Sequence, residues 1–410
     1  MNRTRFVLFL LLTSAWLGVA SHRALAAQLV PLGDEDEVPS DLASNPPAVA
    51  VQPDGSYLVA WDDDSISTAE GALSYEHVSA GGEPGVYCCD LLYSPTGVPD
   101  VDAVTAGRQG FDVIWHTRQY EDDPTPTLFY RAHLDLRGMP VGKPVRLGGA
   151  GTGWVWQVRG SGFMAGWSLP SKHGIAARRL STSGQRTGPE LRLNSRLVDH
   201  PAGVSVVGLA DASFVAVWLG VLPGSHGIAV LRGRRFSPSG KPLGPDFDVN
   251  TIPLGVLDTS SCPSDPPSCP AFKAAAAPGG GFAVAWLVNH TTYLRWFNAA
   301  GTPLGPEVMA TTSEDPDGVP QSMAFDDTGN LVLLWALGYD GLQLRLFDPQ
   351  GKPLGPPVDV NSDATDDPEG RSEPWGGDLA WTGDSWVVAW VASIFPYDQS
   401  SIFVRRFAEK

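Results

Sequence analysis

The chain has 410 residues, with 45 Asp and Glu against 28 Lys and Arg and a formal charge of −17. A field of that sign repels nucleic acid and anionic membrane surfaces, so neither is an expected partner. Beyond the N-terminus no run approaches the roughly 20 apolar residues of a membrane helix, so no membrane span is expected.

The first 26 residues carry Arg3 and Arg5, then the apolar run "FVLFLLL", then "ALA" at Ala24 to Ala26. A basic start, a short apolar centre and a small-x-small ending are the parts of a secretory signal peptide. Cleavage would leave a chain starting at Ala27, with no cysteine placed to take a lipid. It would also remove three arginines and no acid, taking the formal charge to −20. The expected location is secreted or periplasmic.

Residues 27–410 repeat one pattern seven times, and a repeat is read before any other feature. Each unit contains a strand ending in tryptophan: Trp61, Trp115, Trp167, Trp218, Trp286, Trp335 and Trp390, spaced by 54, 52, 51, 68, 49 and 55 residues. An aromatic precedes the tryptophan by four residues in six units (Tyr57, Phe111, Phe163, Phe214, Phe282, Trp386), with Leu331 in the other. In the fifth unit, "AFKAAAA", "GFAVAW", "TYLRWFN" and "PEVMA" read as four short strands joined by turns rich in Gly, Asp and Pro. Phe282, Val284 and Trp286 make one face of the second strand bulky, while Ala283 and Ala285 leave the other nearly flat. Such faces stack blade against blade.

The expected fold is therefore all-β: a seven-bladed β-propeller with four antiparallel strands per blade. The last unit stops after three strands at Lys410, and "AQLVPLGDEDEV" near the N-terminus resembles a missing fourth strand. An N-terminal strand completing the last blade would close the ring and remove an open sheet edge. One domain over 27–410, and a monomer, are expected.

The units "AARRLSTSGQRTGPELRLN" and "GRRFSPSGKPLGPDFDVN" resemble those of secreted bacterial repeat proteins that carry "GGFVVAW" and "ARRFDxxGxPLG" motifs. The resemblance covers 27–410 and implies a propeller-like export product, with no activity or catalytic residue attached to it.

Four cysteines suit an oxidising compartment. Cys262 and Cys269 bracket the short polar loop "PSDPPS" and are expected to form a disulfide. Cys88 and Cys89 are adjacent, so a bridge between them would be a strained vicinal ring.

In a propeller the fourth-to-first and second-to-third connections emerge on one face, and here those are the long, varied ones. Ligand-binding candidates on this face are the aromatics outside the repeat, Tyr120, Tyr339, Trp375 and Tyr397. Trp154 and Trp156, in the first strand of blade three, are placed to approach the axis. The seven repeated tryptophans are read as core, not as sugar platforms. Acidic runs gather on the same face. Asp359, Asn361, Asp363, Asp366, Asp367 and Glu369 vaguely resemble a calcium loop, although Ala364 stands where an EF-hand needs glycine. The competing reading is a solvated acidic rim, and no cofactor other than calcium is suggested. His116, His173, His226 and His290 follow the strand-two tryptophans. The repeated "HGIA" at 173–176 and 226–229 makes two of them equivalent positions in different blades, which argues against one metal cluster.

No G-x-S-x-G, H-E-x-x-H, phosphate loop or sialidase Asp-box appears. The expected function is a non-catalytic interaction propeller binding a protein, glycan or small ligand on its long-loop face. The alternatives are a propeller hydrolase or lyase acting on carbohydrate, and a structural envelope protein.

Overall fold

The structure is a computed structural model, and it describes residues 28–38, 43, 45–63, 72–93, 99–117, 127–148, 153–158, 162–256, 271–311, 318–337, 341–361, 371–394 and 399–410. The expected signal peptide, the Cys262 and Cys269 pair, Tyr120, Tyr339 and Tyr397 lie outside them, as do Asp363, Asp366, Asp367 and Glu369.

Seven four-stranded antiparallel sheets form a seven-bladed propeller. The inner strands are Ala48–Val51, Pro99–Gly107, Trp154–Val158, Asp199–Gly208, Phe272–Ala276, Gly318–Phe325 and Arg371–Trp381, in blades one to seven. Blades one to six are each built from consecutive strands. Blade seven takes its outer strand from the N-terminus in two pieces, Leu29–Pro31 and Asp36–Val38, both antiparallel to Gln399–Glu409. Leu29 pairs with Glu409 and Asp36 with Val404, so the expected closure is present.

The core lies between blades. The bulky face of each second strand fills the second face of the preceding blade. Phe282, Val284 and Trp286 pack on Val215, Val217 and Leu219, and Leu331, Leu333 and Trp335 pack on Ala283 and Ala285. Trp386, Val388 and Trp390 pack on Val332 and Leu334. The ring closes when Tyr57, Val59 and Trp61 pack on Val387, Ala389 and Val391. The second face is flat only in some blades, and elsewhere valines and leucines fill it.

Six of the seven repeated tryptophans are at most 1 % exposed, but Trp167 is half-buried. The reason lies in blade two. Its second face offers Asp112, Ile114 and His116 where blades four to seven offer aliphatic side chains, and the cluster at this seam is the smallest. The seam is held by polar contacts instead. Asp112 accepts from Arg131, from His133 Nδ1 at 2.9 Å and, in blade three, from Gln157 Nε2 at 3.3 Å.

The repeated "RRF…G.PLG" motif has a mechanical explanation. Arg234, Arg295, Arg345 and Arg405 each lie over the phenylalanine two residues on, at 5.7–5.8 Å, a cation–π geometry. Their Nε atoms donate to the carbonyls of Gly244, Gly305, Gly355 and Gly33, which pins the strand-three to strand-four turn. Gly33 belongs to the "PLG" of the N-terminal segment, so Arg405 reads the closing strand as Arg345 reads its own blade. Three of these arginines also reach the preceding blade: Arg295 to Val249 O, Arg345 to Ala310 O and Arg405 to Val360 O. Gly351 in such a turn has φ 83°, and a Cβ there would sit 2.8 Å from Trp296 Cζ3 of the preceding blade. Glycine is required on both counts.

Candidate functional site

The inner strands of all seven blades surround a pocket on the axis, with a volume of about 670 Å³. In blades one, two, three and five the lining residues lie toward the N-terminal ends of the inner strands, and in blades four, six and seven further along. The pocket therefore opens toward the face that carries the fourth-to-first connections. The opposite face carries tight turns such as Gln52–Ser56 and Ala277–Gly281.

Irregular pairing aims polar groups into this space. Register shifts separate Val101 from Ala103 and Pro320 from Ser322, so Asp102 and Gln321 are the extra residues of two bulges. Both line the pocket. A bulge inserts an unpaired residue and re-aims its side chain, and bulges concentrate beside functional sites.

Asp102 receives a hydrogen bond at 3.0 Å from Nδ1 of His116, at the end of the second strand of blade two. His116 Nε2 lies 3.6 Å from Asp100 Oδ2. Asn45 Nδ2 in turn donates to Asp100 Oδ1 at 2.7 Å and to Asp62 Oδ2 at 3.0 Å. A chain of polar groups thus runs from blade one to the axis. Desolvation by the surrounding protein pushes the Asp102 carboxyl above its ordinary value, against the lowering influence of His116. Its side chain stays 27 % exposed, so that water in the pocket moderates the shift.

Across the pocket, Asp378 Oδ1 accepts from Ser322 Oγ at 2.5 Å and from the Leu379 N–H at 2.9 Å, and Oδ2 accepts from the Val49 N–H at 3.0 Å. Burial raises its pKa despite these donors. Lys273, from blade five, contributes a cation to the same lining. Lys273 is an exposed residue, and the surface it exposes lines the pocket. Burial depresses its pKa, and only the attraction of Asp378 opposes this. Its ammonium has no hydrogen bond or ion pair among the described residues.

Trp154 and Trp156 line the blade-three side, their rings stacked at 6.3 Å and 16°. Trp156 is fixed by a hydrogen bond from Nε1 to Val204 O at 3.1 Å. Their expected approach to the axis is present. Trp375 has its backbone inside the inner strand of blade seven, at a bulge between Pro374 and Gly376, instead of in a loop.

The other candidates are dispersed. Asn361 Oδ1 accepts the Leu342 N–H at 3.0 Å, as Asn194 does for Ile175 and Asn250 for Leu231, so this amide closes a blade edge in three units. Asp359 accepts from Gln343 Nε2 at 2.8 Å. His173 and His226 hold equivalent left-handed turn positions, φ 47° and 55°, and His173 bonds Asp199. Among the described residues no group of three or more His, Cys, Asp or Glu has the geometry to hold a metal.

No family model matches the chain, and no curated protein matches it. Solved structures do. A protein of unknown function from Dyadobacter fermentans shares 10 % identity, with TM-score 0.51, over 93 % of this chain and 99 % of its own. An α-L-arabinanase of Penicillium chrysogenum, solved with arabinobiose, shares 15 % identity, with TM-score 0.50, over 79 % of this chain and 99 % of its own. A puromycin hydrolase shares 16 % identity, with TM-score 0.45, over 91 % of this chain, and the match spans only 55 % of that enzyme. At such identities the likeness is one of fold: the chain is a seven-bladed propeller with a polar axial pocket.

Proposed function

We propose that the protein is an exported binding propeller whose ligand is a small molecule held in the axial pocket at the long-loop face. The observation that carries this reading is the convergence of Asp102, Gln321 and Lys273 on one cavity of about 670 Å³. That volume falls in the roughly 300–1,000 Å³ span of small-molecule sites. The hydrophobic faces between blades hold the ring together, and charge at its axis costs stability. Groups kept in place at such a cost are the mark of a site used for binding.

The test is a melting-temperature screen of hydroxylated, acidic and amine-bearing small molecules against the wild-type protein and Gln321→Trp, which fills the pocket from a bulge. Pocket ligands raise the wild-type melting temperature by mass action and lose that effect in the variant. Ligands that stabilise both proteins equally would place the site elsewhere.

One observation favours a second reading, hydrolysis of a carbohydrate. Asp102 faces the pocket with its carboxyl held above the ordinary range, as a general acid requires. Turnover of a glycoside by the wild type and its loss in Asp102→Asn would select that reading over binding alone.

A further inference from the structure

The acids and the cation of the axial pocket are not in equivalent states. Asp378 has both oxygens engaged, by Ser322, Val49 and Leu379, and Asp102 is engaged by His116. Lys273 alone of the three has neither a hydrogen bond nor an ion pair among the described residues. It rises from an inner strand that is otherwise alanine and phenylalanine, "FKAAA", and it faces the cavity. Exposed on the cavity wall, its ammonium is open to a charge-assisted bond from an anion in the pocket.

We propose that Lys273 is the anchor for a single carboxylate on a hydroxylated ligand, a sugar acid of the hexuronate type. This rests on the axial-pocket reading above. One cation sets one negative charge. Asp102 and Asp378 retain lone pairs that accept hydroxyl protons, since an ionised carboxylate has about four acceptor sites. A second ligand carboxylate would meet these acids and be repelled. The amide of Gln321 donates and accepts, and among the described residues it is engaged only by a long 3.4 Å bond to Val319 O. The part-buried Trp154 adds an apolar wall to the lining. A neutral sugar would leave the ammonium unpaired, and a simple carboxylate would leave the hydroxyl acceptors unused.

Calorimetric titration of sodium D-glucuronate, D-glucose, D-glucosamine and sodium acetate into the wild type, Lys273→Met, Lys273→Arg and Gln321→Trp tests this. Glucuronate should bind the wild type at least tenfold more tightly than the other three. Lys273→Met should bring glucuronate down to the level of glucose, Lys273→Arg should retain most of the preference, and Gln321→Trp should bind none. Glucuronate should also protect Lys273 from reductive methylation read by mass spectrometry, a measurement independent of any variant's folding. Failure of glucuronate to bind or to protect, equal binding of glucose, or a preference surviving in Lys273→Met would overturn the proposal. If glucosamine or glucose binds as tightly as glucuronate and Gln321→Trp abolishes it, the pocket reading stands while the anionic anchor falls. Binding that survives Gln321→Trp rejects both.

Discussion

The backbone N–H of Val49, in the first blade, donates to Oδ2 of Asp378, in the last, at 3.0 Å. The same carboxylate takes the hydroxyl of Ser322 in blade six at 2.5 Å, so one side chain fastens three inner strands at the point where the ring closes. The outer edge of blade seven is sealed by Leu29–Pro31 and Asp36–Val38. The ring is thus closed at its rim by strand pairing and at its axis by a carboxylate.

Asp378→Ala should therefore lower stability, because three donors lose their acceptor and each unsatisfied buried donor costs about 1–3 kcal/mol. Removal of a buried carboxylate offsets part of that. Ser322→Ala removes a single donor and should cost less. Chemical denaturation of the two variants and the wild type checks the order, and midpoints equal to the wild type's would show that the clasp carries no stability.

The seams should differ in strength. Trp286 is 1 % exposed against a wall of aliphatic side chains, so Trp286→Ala should cost about 3–5 kcal/mol. Trp167→Ala should cost markedly less, since Trp167 is half-buried where blade two presents Asp112 and His116. Native-state hydrogen exchange should accordingly find the lowest opening free energy at the junction of blades two and three.

Most of the fold was legible in the sequence, because a bulky and a slighter face alternating at period two, repeated seven times, admits few architectures. The closing strand was legible too, and Arg405 on Gly33 shows that its "PLG" does the same work as the others. The axial site was not. Lys273 sat in plain view in "AFKAAAA" and Asp378 in "GGDLAW", but nothing in a repeat marks which inner-strand side chains face the axis. Asp102 and Gln321 are harder still, since a bulge breaks the alternation from which a face is read. Trp154 and Trp156 were recognisable because two tryptophans in an inner strand depart from the pattern of the other units.

The pH dependence of stability has a definite sign at the axis. Asp102 has its pKa raised above 3.8 by burial, so the folded state binds its proton more tightly than the unfolded chain does. Its contribution to stability falls as pH rises from about 3.8 through the raised value, and what penalty the pocket water leaves persists at neutral pH. Asp102→Asn should melt above the wild type at pH 7, with a difference that closes toward pH 4. The turn aspartates Asp54, Asp135, Asp211 and Asp384 have lowered values, from hydrogen bonds to neighbouring serine, threonine or backbone groups. Their contribution is lost only as pH falls below 3.8, outside this window. A difference between Asp102→Asn and wild type that widened toward acid would contradict the burial account.

Lys273 supplies the complementary case. Desolvation lowers its pKa below 10.5 and Asp378 compensates only in part, with the residue's exposure to the pocket moderating the shift. Below the lowered value both states are protonated and the folded state carries the full penalty. As pH rises from there to 10.5 the folded state loses its proton first, so stability rises through that window and the penalty disappears at its top. Lys273→Met should therefore raise the melting temperature at pH 7, and the gain should shrink as the pH approaches 10.5. Stability gained by deleting one ammonium, together with loss of the carboxylate ligand, is the signature of a residue held for function. A melting curve unchanged by Lys273→Met at every pH would mean that water in the pocket solvates the ammonium as bulk solvent does. Burial would then contribute nothing to its chemistry.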